Sequence, residues 1–258
     1  MVGLGSVISR AQNMANQFKY DAKKLPTHQL QVYEKSNLDG SRSGYVAVYL
    51  KNEKTIESFK WTPGNREGTL VTAKMDWSRF SVSEFVGGRL LANGEMNQSV
   101  ELFVGPGSME AQIEIRGVEP STVALAHFPW HSYDFDFASL GMMMTQKKSP
   151  TSPFEFMICD IVRTTTGPVF GEVGKVRLEW QKEERKFDQL CQRYRIDGPG
   201  LDHKGGEIWF DQKGRLVGYE IQKPDEPGYE SGKLRRVEVK TITNQEWEVF
   251  KRKKLGSS

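Results

Sequence analysis

The segment HFPWHSYDFDF, residues 127–137, places two of the chain's four histidines and two aspartates among aromatic side chains. In an extended strand His127 and His131 would share a face but lie about 13 Å apart, at ~3.3 Å per residue. The proline between them can turn the chain and bring the two imidazoles together. A transition metal could then be held by both histidines with Asp134 or Asp136, or His131 could carry acid–base chemistry.

The same segment also has an interpretation without chemistry. Asp134 and Asp136 stand directly before a run of helical pattern, where an aspartate accepts hydrogen bonds from unpaired backbone N–H groups. A buried His131 bonded to backbone would equally explain the histidine. The residue types therefore favour helix capping over a metal site. We expect no metal and no other cofactor, and we keep His131 and Asp134 as candidate acid–base residues.

Asp160 is the third candidate catalytic residue, because it interrupts the otherwise apolar strand FMICDIVR. It shares the face of Phe156 and Ile158, and if that face is buried the carboxylate needs a partner. A buried acid with a basic partner is either an internal strut or an acid–base catalyst. The candidate partners on neighbouring strands are Arg177, Arg193 or Arg195, any of which could pair with it across the sheet.

Two polar loops are interpreted as turns. GPGLDHKGGE carries Asp202, His203 and Glu207 between glycines, but it lacks the Gly-Lys-Ser/Thr ending of a phosphate loop. PDEPGYESG, residues 224–232, has the prolines and glycines of a turn, with Asp225 and Glu226 expected in solvent. No G-x-S-x-G nucleophile motif occurs in the chain.

The elements that position these residues follow a period of two. In TLVTAKMDWS, the apolar residues Val71, Ala73 and Met75 alternate with polar ones, which is typical of antiparallel strands with one buried face. Several strands are long enough to curve strongly. The predicted fold is mainly β: a long antiparallel meander curled into an open barrel or half-barrel. The predicted strands are 29–36, 43–51, 54–62, 68–86, 98–104, 109–117, 121–127, 154–164, 170–183, 186–197, 206–212, 215–223, 233–243 and 246–252.

The predicted organisation is an N-terminal helical segment at 1–25 and one β-rich domain at 26–254, with a central helix near 136–147. The chain's 36 basic residues nearly balance its 33 acidic ones, which argues against a nucleic-acid-binding protein. No apolar run is long enough for a membrane-spanning helix, and the first residues lack the pattern of a secretory signal. Cys159 and Cys191 are interpreted as structural, either bonded to each other or free.

The run CQRYRIDGPGLDHKGGEIWFDQKGRLVGYEI resembles an uncharacterised family of bacterial envelope proteins of unknown function. FEFMICDIVRT and the pair QLQVYEKS and SGYVAVYL are similar to it as well. The resemblance implies a sheet curled into an open barrel, like that of the lipoprotein-localisation factors, which hold acyl chains in a hydrophobic half-pipe. It implies a periplasmic or cell-envelope location and a lipid-like ligand, and it supplies no catalytic residues.

We therefore expect a non-enzymatic β-barrel binding protein for an apolar or amphipathic ligand. The alternative is a lyase, isomerase or hydrolase that acts on a small aromatic or lipid-like substrate through His131 and nearby carboxylates, with or without a metal. A scaffold protein with exposed strand edges is a third possibility. The predicted ligand-binding residues are Trp61, Trp77, Phe80, His127, Trp130, Tyr133, Trp180 and Trp209.

Overall fold

The computed structural model describes residues 17–165, 167–224 and 226–256. Most of the predicted N-terminal helical segment lies outside these residues; within them Ala22–Lys24 forms a short 3-10 helix. None of the helices in the described part of the chain is long and apolar enough to cross a membrane.

The described residues contain fifteen strands, two α-helices and a second 3-10 helix at Pro199–Leu201. The first eight strands are β1 (Gln29–Ser36), β2 (Gly44–Leu50), β3 (Thr55–Trp61), β4 (Glu67–Asp76), β5 (Ser81–Leu91), β6 (Met96–Val104), β7 (Glu110–Ile115) and β8 (Ser121–Ala124). The short β9 (Trp130–His131) and helix α1 (Ala138–Met144) follow. The remaining elements are β10 (Phe154–Thr164), β11 (Gly167–Lys186), β12 (Gln189–Asp197), β13 (Gly206–Asp211), β14 (Leu216–Ile221), β15 (Gly232–Thr241) and helix α2 (Asn244–Lys254).

All fifteen strands belong to one sheet, in the order β8-β7-β6-β5-β4-β3-β2-β1-β15-β14-β13-β12-β11-β10-β9. Neighbours are antiparallel except β9 and β10, which run parallel and are joined through α1. The β1–β15 pair is the one junction between strands distant in sequence, and it joins the meander before α1 to the meander after it. The predicted mainly β, antiparallel fold is confirmed.

The sheet is curled but not closed. β9 contacts β5, and β8 contacts β11, although these strands are far apart in the order of the sheet. Such curling follows from the accumulated twist of long strands. Helix α1 packs against β3 and β14 inside the curl. The prediction of an open barrel or half-barrel with a central helix is therefore confirmed.

Side chains alternate between two buried faces. Val46 and Val48 of β2 point into the main core with α1, whereas Ala47 and Tyr49 point to a second cluster beneath α2. We call these the inner face and the outer face of the sheet. The inner face is covered by the rest of the barrel, and part of the outer face is covered by Trp247 of α2, which is fully buried.

Two predicted strands are wrong. The predicted strand 68–86 is two strands, β4 and β5, separated by the turn at 77–80. The predicted strand 246–252 is helix α2, which begins with a capping box: Thr243 Oγ1 accepts from the N–H of Glu246, and the Glu246 carboxylate accepts from the N–H of Thr243. The Thr-x-x-Glu spacing is the local signal that outweighs the apparent alternation.

Candidate functional site

A cavity of about 870 Å³ lies between the two ends of the curled sheet. One wall comes from β4 to β7 and the opposite wall from β9 to β11, and the loop after β14 borders it. The apolar side chains of the first wall are Val71, Phe85, Val100, Leu102, Ile113 and Ile115. Those of the second wall are Trp130, Ile161 and Phe170. The cavity exists because inward-facing residues of strands far apart in sequence face one another across the curl.

A bulge in β5 shapes the first wall. The pairing of β5 with β6 shifts register between Gly87 and Gly88, and both glycines line the cavity. A Cβ on Gly88 would lie 2.3 Å from the carbonyl oxygen of Asn97, so only glycine allows the two backbones to approach this closely. Bulges of this kind bend a strand and increase its twist, which turns this wall towards the other one.

Asp160 on β10 lines the cavity, but it has none of the predicted arginine partners. Its Oδ2 accepts a hydrogen bond of 3.0 Å from the N–H of Tyr133. Its Oδ1 is shielded from solvent and has no hydrogen-bond partner among the described residues. Burial raises the pKa of Asp160 well above its ordinary value, and the nearby Asp134 carboxylate raises it further. Hydrogen bonds from Ser132 and from the backbone of Tyr133 and Asp134 lower the pKa of Asp160, but burial and Asp134 outweigh them and favour the protonated form.

The three arginines expected beside Asp160 pair with other acids, so that prediction is wrong. Their guanidinium groups bond the carboxylates of Glu179, Glu207 and Asp197 respectively. All three side chains are partly or largely exposed to solvent, whereas Asp160 faces the interior of the curl. The three arginines occupy strand positions whose side chains point to the face of the sheet opposite to Asp160, so the arginines do not meet this carboxyl group.

The capping interpretation of Asp134 and Asp136 is also wrong. Phe137 is the N-cap of α1, and this cap makes no side-chain hydrogen bond. Asp136 is fully buried and instead pairs with Lys35 Nζ at 2.9 Å and Lys60 Nζ at 3.1 Å. Asp134 lines the cavity, and its carbonyl oxygen accepts from Lys60 Nζ. The buried Lys35 and the partly buried Lys60 bind the Asp136 carboxylate, which therefore does not cap the helix.

Glu226, expected in solvent, belongs to the same ion cluster. Its carboxylate bonds Lys35 Nζ at 2.8 Å and also Lys60 Nζ. Burial acts to raise the pKa of Glu226, but the charges of Lys60 and Lys35 outweigh it and hold the pKa at about 2. The cluster ties the loop after β14 to β1, β3 and the start of α1. Among the described residues the cluster contains the two lysines Lys35 and Lys60 and the two carboxylates Asp136 and Glu226.

His131 is sealed in the core and does not line the cavity. Its Nδ1 lies 2.9 Å from Ser139 Oγ, and its Nε2 lies 3.1 Å from Met143 Sδ. Burial lowers the pKa of His131 to about 3, so the imidazole is neutral. An uncharged ring held between two residues of α1 fixes the helix against β9, and no route for a substrate leads to it through the described cavities.

His127 has a separate environment. Its Nδ1 lies 2.8 Å from Glu172 Oε2, and its backbone N–H donates to Glu172 Oε1 at 2.8 Å. It borders a smaller cleft of about 250 Å³ rather than the main cavity. Within the ranges that the structure describes, no three His, Cys, Asp or Glu side chains form a cluster that could hold a metal ion. The structure therefore does not bring together the metal ligands considered from the sequence, His127 and His131 with Asp134 or Asp136.

The predicted ligand-binding aromatics are divided between the two faces of the sheet. Trp130 lines the main cavity, and Tyr133, beside it in sequence, is buried with its hydroxyl donating to the Lys223 carbonyl. Trp61 and Trp209 lie in clusters on the outer face. The three that pack in or against the inner core, outside the cavity lining, are Trp77, Phe80 and Trp180.

Lys35 and Lys60 are the site residues that sequence reasoning missed. A signal was present, because Lys60 shares strand parity with Ile56, which faces the inner core. A lysine at an inward position of an alternating strand must find a carboxylate or leave a buried charge unpaired. Cys159, also in the cavity lining, is a free thiol whose pKa is raised by burial, and Cys191 is free as well.

Comparison with known proteins adds no assignment to the cavity. No protein-family model matches the chain, and no curated protein shows significant sequence similarity to it. The chemical identity of the site therefore rests on its own volume, its apolar walls and the polar atoms within it.

Proposed function

We propose that this chain is a non-enzymatic binding protein that holds an apolar or amphipathic, lipid-like ligand in the cavity inside the curled sheet. The observation that carries the proposal is the cavity itself, whose volume of about 870 Å³ falls within the range of small-molecule sites, roughly 300–1,000 Å³. Two facing walls of aliphatic and aromatic side chains, with a few polar groups, are the usual construction of such sites.

The distribution of polar groups supports an amphipathic ligand. Lys60 contacts both Glu226 and the Asp134 carbonyl, so these polar lining groups gather in one region of the cavity. The remaining walls offer apolar surface, whose removal from water on binding is favourable. The resemblance to envelope proteins with an acyl-binding half-pipe supports the same proposal, and with it a periplasmic or cell-envelope location.

Adjacent residues of β10 provide a test. Ile161 lines the cavity, whereas Val162 faces the opposite way and is 41% exposed. We expect Ile161→Trp to fill part of the cavity and weaken binding of the neutral apolar dye Nile red about tenfold or more, a loss of about 1.4 kcal/mol or more. Val162→Trp adds the same side chain outside the cavity and should leave binding unchanged.

Native mass spectrometry and organic extraction of the purified chain should recover a small apolar molecule from wild type and less from Ile161→Trp. Thermal melting of both variants reports whether the fold is retained. Equal dye affinity of the two variants, with both folded, would place binding outside the cavity and refute the proposal.

Asp160 supports the enzymatic alternative, since a carboxyl group whose pKa is raised beside an apolar cavity has the properties of a general acid. The substrate class would be the same small aromatic or lipid-like molecule. Incubating the extracted ligand with wild type and with Asp160→Asn distinguishes the two functions. Conversion of the ligand by wild type alone would establish an enzyme, and recovery of unchanged ligand from both supports the binding protein.

A further inference from the structure

Two buried polar atoms on the lining of the cavity have no partner. Trp130 is 1% exposed, and its Nε1 makes no hydrogen bond within the described residues. Asp160 Oδ1 is likewise shielded from solvent and makes no hydrogen bond within the described residues. Buried polar atoms in folded proteins are nearly always paired, because leaving one unpaired costs free energy. Both of these side chains line the cavity of about 870 Å³, which makes this cavity a common explanation for the two unpaired atoms.

The two side chains are held by their neighbours. β9 lies parallel to β10, with Trp130 opposite Met157, three residues before Asp160. The backbone N–H of Trp130 donates to Ser81 Oγ at 2.9 Å, and the indole packs edge-on against Phe170. Asp160 is anchored through Oδ2 by the N–H of Tyr133. Anchoring of this kind preorganises polar groups for a ligand.

Both unpaired atoms are hydrogen-bond donors. An indole Nε1 can only donate. Burial and the Asp134 charge raise the pKa of Asp160, which favours the protonated carboxyl group. Oδ2 accepts from the Tyr133 N–H, and Oδ1 has no partner in the described chain, so Oδ1 is the oxygen placed to carry a proton and donate it. The cavity is thus lined by two potential hydrogen-bond donors, the indole Nε1 and the carboxyl Oδ1, and neither bonds an acceptor of the described chain.

The charges around the cavity disfavour an anionic ligand. Lys60 is engaged by Asp136 and Glu226, and Lys35 is engaged by the same two carboxylates. Asp134 contributes a negative charge near Asp160. Among the described residues that line the cavity, Arg163 is the other cation, and it lies in an exposed position. A carboxylate or phosphate placed beside Asp160 would meet the Asp134 charge.

We infer that Trp130 and Asp160 form a subsite that donates two hydrogen bonds to the oxygen of an uncharged, largely apolar ligand such as a long-chain ketone or ester. This inference rests on the proposed function, because it names the class of ligand that the same cavity takes. It excludes free fatty acids and phosphate-bearing headgroups as the groups bound at this subsite.

Calorimetric titration of the full chain with three probes of equal chain length tests the inference: an alkane, a methyl ketone and a fatty carboxylate. We expect the ketone to bind about tenfold more tightly than the alkane, as one or two net hydrogen bonds provide. We expect the carboxylate to bind more weakly than the ketone.

Matched variants identify the donors. Asp160→Leu and Trp130→Phe should each reduce the preference for ketone over alkane severalfold. Asp160→Asn, which retains an N–H donor, should keep most of it. If Asp160→Leu fails to fold, the preference for ketone over alkane in Asp160→Asn and in Trp130→Phe still tests the inference, because only Trp130→Phe should reduce it severalfold.

The outcomes separate the inference from the proposed function. Equal binding of ketone and alkane by wild type, or tighter binding of the carboxylate, would overturn the subsite while leaving the binding function intact. Absence of binding for all three probes would remove the proposed function as well. Loss of the preference in Asp160→Asn as large as in Asp160→Leu would show that Asp160 does not act as a donor.

Discussion

Glu57 on the outer face and Asp160 on the inner face are both carboxyl groups withdrawn from solvent, yet their surroundings are opposite. Glu57 Oε2 accepts from Trp247 Nε1 at 2.5 Å and Lys251 Nζ at 2.8 Å, and its Oε1 accepts from Lys51 Nζ at 2.9 Å. Asp160 Oδ2 accepts from the N–H of Tyr133, whereas Oδ1 has no hydrogen-bond partner in the described chain.

The pKa values follow this difference. Burial acts to raise the pKa of Glu57, but Lys251, Trp247 and Lys51 outweigh it and lower the pKa. For Asp160 burial is the largest effect, and the neighbouring Asp134 acts in the same direction. A carboxylate whose bonds are all satisfied by the fold serves stability, whereas one left unsatisfied beside a cavity is available to a ligand. The comparison thus separates a structural acid from a candidate binding group.

The largest expected effect is at Glu57. Glu57→Gln leaves Lys251, 4% exposed, without a buried counter-charge, and should lower the free energy of unfolding by about 3–5 kcal/mol in urea denaturation. Glu67→Gln, which removes one partner of an exposed pair with Arg89, is the control and should cost about 0–1 kcal/mol. Equal losses in the two variants would contradict the structural role of Glu57.

The effect at Asp160 depends on pH. Its pKa in the folded chain lies above the 3.8 of an unfolded aspartate, so its contribution to stability is fully present below that value and is lost as pH rises through the folded pKa. Asp160→Asn should match wild type near the unfolded pKa. As pH rises further, the free energy of unfolding of Asp160→Asn should increase relative to that of wild type by about 1.4 kcal/mol per pH unit, until pH reaches the folded pKa.

Thermal melts of wild type and Asp160→Asn across this pH range measure the difference. Glu57→Gln should show the reverse trend, because the pKa of Glu57 is lowered: its contribution is present above 4.5 and is lost as pH falls through the folded pKa. Parallel pH profiles for the two variants would remove the distinction between the acids.

The smallest expected effect is at the start of α2. Thr243→Ala removes the side-chain cap and should lower stability by about 1 kcal/mol, because one first-turn N–H loses its acceptor. Since Glu57 depends on Trp247 and Lys251 of this helix, fraying of α2 should also weaken the outer cluster without changing dye binding in the cavity. Thermal melting with Nile red titration measures both. A change in dye affinity would show that the two faces are coupled.

Local pattern predicted much of the strand content. The predicted strand 154–164 has the bounds of β10, and the central helix lies within the predicted 136–147. These elements succeed because alternation and helical spacing act over a few neighbouring residues. The failure at α2 has the same origin: over seven residues, apolar spacing does not distinguish strand from helix, and the capping box is the signal that does.

The candidate site was predicted less well than the fold. Asp160 was predictable as a candidate because it interrupts an apolar strand, and Trp130 because it lies in the aromatic segment 127–137. The partners were not predictable: the Lys35–Asp136 pair spans the two halves of the chain, and Asp160 meets the first wall of the cavity only through the curl of the sheet. The residue type of His131 suggested acid–base chemistry. Residue type does not reveal that burial keeps this imidazole neutral and encloses it in the core.

The sequence by itself determined the alternation of the strands, the central helix and the presence of polar groups such as Asp160 on an apolar face. Only the tertiary structure decided which of these polar groups found partners. Pairing of β1 with β15 and the curl of the sheet bring Lys35 and Lys60 to Asp136 and Glu226, and leave Asp160 facing an apolar cavity. Strand periodicity depends on neighbours in sequence, whereas the pairing of a buried charge depends on neighbours in space.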